Sequence, residues 1–122
     1  MPSCKTLSTA AALAGVSLLV AAQASAHAKL VASDPAANST VAAPKSVTLT
    51  FNEDVAPAFS GFDIVMGGSM KMPVKTTVSK DHKTITGALS GPTMAGAYKI
   101  SWHAVAADDG HKTTGTVAFK VK

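Results

Sequence analysis

The feature that most constrains this chain is a series of seven short segments in which apolar and polar residues alternate. Residues 46–51 alternate strictly, with Val47, Leu49 and Phe51 set against Ser46, Thr48 and Thr50. Phe62, Ile64 and Met66 share one face of 62–66, and Tyr98, Ile100, Trp102 and Ala104 share one face of 98–104. Residues 74–79 and 84–88 flank Lys80-Asp81-His82-Lys83 as a hairpin-like pair, and 29–33 and 114–121 complete the set. A strand turns successive side chains to opposite faces, so this period buries one face and leaves the other in water. Turn formers punctuate the intervals, among them Asp34-Pro35-Ala36-Ala37-Asn38-Ser39 and Gly67-Gly68. The pattern predicts an all-β antiparallel sandwich of about seven strands. Nothing beyond residue 26 sustains an apolar period of 3.6, and no repeat, linker or second domain is visible.

The first residues follow different rules. Residues 1–9 carry one positive charge, Lys5, and no acid; 10–22 are uncharged and apolar; Ala24-Ser25-Ala26 has the small-x-small form of a signal-peptidase site. A spanning helix needs ~20 predominantly apolar residues, and this run is shorter. A lipoprotein anchor needs a cysteine at the cleavage point, and Cys4 lies too early. The expectation is a signal peptide over 1–26, export to the periplasm, and a mature domain over 27–122. Cleavage before Ser25 or before Lys29 competes with cleavage before His27. Cys4 is the only cysteine, so the mature domain can form neither a disulfide nor a thiolate metal site. The formal net charge of the chain is +4. Its basic residues are all lysine and are scattered, without the basic patch of a nucleic-acid binder.

Three groups of residues can carry chemistry. With the leader removed at Ala26, His27 becomes the first residue and offers its α-amine and imidazole Nδ1 to one metal. A free α-amine titrates at about 7.7–8.0, so a metal can displace its proton near neutral pH. Nitrogen ligands in a tetragonal plane suit Cu(II). A histidine beside a cleavage site also arises by chance. The second group is Asp108-Asp109-Gly110-His111. In an extended segment residues two apart project to the same side, so Asp109 and His111 can face one point. Asp-Gly is also a common turn pair. The third is Met66-Gly67-Gly68-Ser69-Met70-Lys71-Met72. Thioethers select Cu(I), but methionine also fills gaps in cores. Met66 is in phase with the core residues Phe62 and Ile64, whereas Met70 and Met72 are expected in a loop. His103 reads as a surface or supporting residue, His82 as a solvated turn residue, and Trp102 as core. Asp34, Glu53 and Asp54 read as turn residues at strand ends.

His-Ala-Lys-Leu-Val-Ala-Ser-Asp-Pro-Ala directly after a leader resembles the start of the CopC family of periplasmic copper-resistance proteins. The likeness continues through Leu49-Thr50-Phe51-Asn52-Glu53, the methionine segment, Met72-Pro73-Val74-Lys75 and Gly96-Ala97-Tyr98-Lys99-Ile100-Ser101-Trp102, and ends on 114–121. The resemblance implies an immunoglobulin-like Greek-key sandwich that binds copper without being an enzyme. It implies Cu(II) ligands at His27, Asp109 and His111, and a Cu(I) site at Met66, Met70 and Met72. It also implies an inner-membrane copper transporter or a periplasmic copper oxidase as partner. This chain carries one extra residue before its Asp-x-His. Asp108 is therefore the acid by family spacing, and Asp109 the acid by the two-residue spacing to His111. Its methionine segment is shorter than the richest family examples and lacks their histidine. A rival class, small copper-dependent oxidative enzymes, also chelates metal through an N-terminal histidine, but those chains are usually larger.

Overall fold

The computed structural model describes residues 27–122; the leader assigned to 1–26 lies outside the described residues. Among the described residues, nine strands form two sheets. They are β1 (Leu30–Asp34), β2 (Thr40–Val41), β3 (Ser46–Phe51), β4 (Gly61–Met66), β5 (Met70–Met72), β6 (Val74–Val78), β7 (Thr84–Leu89), β8 (Gly96–Val105) and β9 (Lys112–Val121). One sheet runs β1-β3-β7-β6 and the other β2-β9-β8-β4-β5. The order β1-β3-β7-β6 and the order β9-β8-β4-β5 are the A-B-E-D and G-F-C-C′ orders of an immunoglobulin-type sandwich, with β2 added beside β9. All pairings are antiparallel except β2 with β9, which is parallel.

The seven expected segments correspond to seven of these strands. The other two, β2 and β5, have two and three residues, too few for alternation to stand out. Met70 and Met72, expected in a loop, lie on β5, which pairs with β4 across the Gly67-Gly68-Ser69 turn. Both glycines there have positive φ, +61° and +87°, a backbone that side chains with a Cβ resist.

The core is what the alternation dictates. Val47, Leu49 and Phe51 of β3 and Ile85 of β7 face Phe62, Ile64, Ile100, Trp102 and Phe119 of the other sheet, all buried. Each such side chain contributes roughly 1.5–3 kcal/mol on burial. Trp102 meets Phe51 edge to face with centroids 5.2 Å apart, and Tyr98 stacks on Phe119 at 5.3 Å. Gly115 stands opposite Trp102 in the β8–β9 register. A Cβ there would lie 2.5 Å from Trp102 Cζ2, so the indole occupies the space a side chain would need. At the β6–β7 turn Asp81 accepts hydrogen bonds from the Ser79 hydroxyl and the Lys83 amide. These bonds hold its carboxyl below the ordinary carboxylate value.

Candidate metal centre

The N-terminal segment is fastened along the end of the sandwich by two sets of hydrogen bonds. The Thr113 hydroxyl donates to the Ala28 carbonyl at 2.9 Å. Lys29 N–H donates to Asn52 Oδ1 at 2.7 Å, and Asn52 N–H returns a bond to the Lys29 carbonyl at 3.0 Å. Ala28, one residue after His27, is only 1% exposed. The outcome is that the exposed imidazole of His27 lies against that of His111, with ring centroids 4.2 Å apart and planes tilted by 45°. His111 immediately precedes β9, two residues before the threonine that tethers Ala28.

The Asp-x-His segment is not extended. Residues 107–109 form a turn, Gly110 has φ +72°, and Gly110 N–H donates to the Ala106 carbonyl. Asp109 Oδ1 accepts the backbone N–H of His111 at 3.0 Å, the Asx-type contact by which aspartate stabilises its own turn. Asp108 lines a shallow cleft with Asn52, Glu53, Asp54, Lys83 and Ala107. Among the described residues no three His, Cys, Asp or Glu side chains are gathered as a metal site. The structure thus brings the two imidazoles together and leaves each aspartate in other company. His103 lies on the outward face of β8 opposite Gly61 and lines a separate open groove with Phe59, Val105, Gly110 and Lys112. His82 is exposed in the β6–β7 turn with φ +60°.

The methionines converge at the other end. Met66 and Met70 are direct cross-strand partners, and Met72 stands opposite Ile64. Residues two apart on one strand share a face, as do cross-strand partners, so all three thioethers project to the same side. Lys71 projects to the opposite face, where its ammonium is 3.7 Å from Asp63. The methionines line a cleft of about 230 Å³ together with Pro73, Pro92, Tyr98 and a residue that sequence reasoning passed over, Met94. Met94 follows Gly-Pro-Thr in the β7–β8 connection, where a single methionine carries no local signal. The two ends are well apart: Tyr98 pairs with Met66 and Val105 with Lys112, and seven residues of β8 at about 3.4 Å each span ~24 Å.

With an immunoglobulin-type sandwich, an imidazole pair at one end and clustered thioethers at the other, the molecule falls in the class of small β-sandwich proteins with soft and nitrogen donors poised at opposite ends. The chain belongs to the CopC family: the CopC domain model matches residues 30–122. It is 44% identical over 112 residues to the copper resistance protein C of Pseudomonas syringae pv. tomato, covering 86% of this chain and 88% of that one. Its fold resembles the crystal structure of PcoC, a methionine-rich copper resistance protein from Escherichia coli (TM-score 0.73, 36% identity, 80% of this chain and 100% of the other). It also resembles that of CopC from Methylosinus trichosporium OB3b (TM-score 0.71, 28% identity, 79% and 94%).

Proposed function

We propose that this chain is an exported copper carrier of the periplasm, a member of the copper-resistance system rather than a catalyst. It holds Cu(II) at one end of the sandwich and Cu(I) at the other. The observation that carries the reading is the approach of His27 and His111, which come from opposite ends of the described chain, to 4.2 Å between ring centroids. Two exposed imidazoles this close together suit a nitrogen-binding metal. Removal of 1–26 would add the His27 amine as a third nitrogen. Asp109 would supply an oxygen by exchanging its bond to the His111 amide for the metal; Asp108 is the alternative acid. The names borne by relatives, copper resistance protein C, support copper as the cargo. The thioethers of Met66, Met70 and Met72 suit Cu(I) by softness. An inner-membrane copper transporter or a periplasmic copper oxidase would receive or supply the cargo.

The test is intact mass of the exported protein, then EPR and competitive titration with Cu(II). The expected results are a chain beginning at His27, an axial signal with nitrogen coupling, and a loss in His111→Ala beyond the 10–100-fold that outer-shell substitutions cause. A chain beginning at Ser25 or Lys29, or unchanged affinity in His111→Ala, overturns the Cu(II) site.

A further inference from the structure

Every methionine among the described residues lines the same cleft. Single exposed apolar side chains are ordinary, and Met70 and Met94, 66% and 67% exposed, would each be unremarkable alone. Their meeting in one small cleft from two separate segments is a different matter. Met66, Met70 and Met72 come from the β4–β5 hairpin, while Met94 comes from the connection between β7 and β8.

That connection is anchored by two side-chain hydrogen bonds. The Tyr98 hydroxyl donates to the Met94 carbonyl, and Tyr98 is itself buried against Phe119. The Thr93 hydroxyl donates to the Pro44 carbonyl at 3.2 Å. Hydrogen bonds thus hold the backbone around Met94 while its side chain stays largely exposed, within reach of a soft metal. No charged side chain lines the cleft except Lys71, whose ammonium is drawn to Asp63 on the far face.

Resting on the reading of the methionine hairpin as a Cu(I) site, we propose that Met94 is a further thioether ligand of that site. The metal is then clasped between the hairpin and the β7–β8 connection instead of being held by the hairpin alone. Thioether sulfur is a neutral donor, so a site built of such ligands takes a soft monovalent ion, Cu(I) or Ag(I), in preference to harder divalent ions.

The test uses the exported protein under anaerobic conditions, titrated with Cu(I) against a chromogenic chelator, and compares wild type, Met94→Leu and the double variant Met70→Leu/Met72→Leu. Leucine keeps the volume of methionine and is tolerated structurally, and Cu(II) affinity at the distant histidines serves as the control for folding. The expected result is that Met94→Leu weakens Cu(I) binding at least about tenfold, the lower bound of what an outer-shell change costs. X-ray absorption should count one sulfur fewer in that variant, and Cu(II) binding should be unchanged. Wild-type Cu(I) affinity in Met94→Leu, with the double variant impaired, overturns the role of Met94 and leaves the hairpin site standing. Absence of Cu(I) and Ag(I) binding in the wild type overturns the hairpin site and Met94 with it.

Discussion

Thr113 offers a way to ask whether the sandwich positions His27 or merely lets it drift near His111. Its hydroxyl has one proton, and the 2.9 Å contact to the Ala28 carbonyl is better than the 3.5 Å contact to the Ala104 carbonyl. Thr113→Val removes that donor while keeping shape and strand preference. Because Ala28 is 1% exposed, its carbonyl has little access to replacement water, and stranding it costs roughly 1–3 kcal/mol. The Lys29–Asn52 pair still holds the next residue, so the segment is loosened rather than released, and the lower part of that range applies. Metal binding must then restore an order that the wild type already has. A deficit of about 1–1.4 kcal/mol corresponds to a roughly five- to tenfold loss of Cu(II) affinity. Thr113→Ser, which keeps the donor, should bind as the wild type does. The assay is competitive Cu(II) titration of protein beginning at His27, with circular dichroism to verify folding. A folded Thr113→Val that binds Cu(II) as tightly as wild type, beside a weakened His111→Ala, would refute the positioning argument.

Other perturbations address the core and the two kinds of donor. Gly115→Ala drives a methyl to 2.5 Å from the buried Trp102 ring. Overpacking of this kind costs about 1–3 kcal/mol and should lower the thermal midpoint by roughly 4–8 °C per kcal/mol in a domain of this size; an unchanged melt would show that the indole yields freely. Cu(II) capture by amine and imidazole competes with protons and should weaken as pH falls, whereas thioethers bind no proton in that range and Cu(I) affinity should stay level. Parallel titrations across about pH 5–8 check this, and equal slopes for the two ions would mean that they share donors.

The sheets were legible in the sequence because each long strand has one wet and one dry face. Trp102, Tyr98 and Phe51 are buried where alternation puts them. The parallel β2 was not legible: Thr40 and Val41 owe their strand conformation to β9, not to any pattern of their own. The methionine hairpin was half legible. Met-Lys-Met does alternate, but three residues after a glycine pair look like loop until β4 is known to lie beside them. At the histidine end, spacing suggested that Asp109 and His111 face one point, on the premise of an extended backbone. The turn over 107–109 removes that premise, and the Asp109 carboxylate accepts the His111 backbone N–H instead. Met94 was invisible for a simpler reason: the other methionines of its cleft are remote in sequence, and only the closed fold brings them together.

The ~24 Å of β8 between the two ends has a consequence for how cargo moves. At that distance in water, a divalent and a monovalent ion repel by only about 0.3 kcal/mol. A Debye length of about 8 Å at physiological salt reduces this further. On the proposed two-site reading, filling one end would leave the other's affinity untouched, and the two loads would follow independent isotherms. Nor can an ion be handed along the interior, which is packed with Ile64, Ile100, Trp102 and Phe51. On that reading, traffic between the ends would have to pass through the surroundings, and the molecule would behave as two separate berths on one hull, each open to its own visitor at the same time.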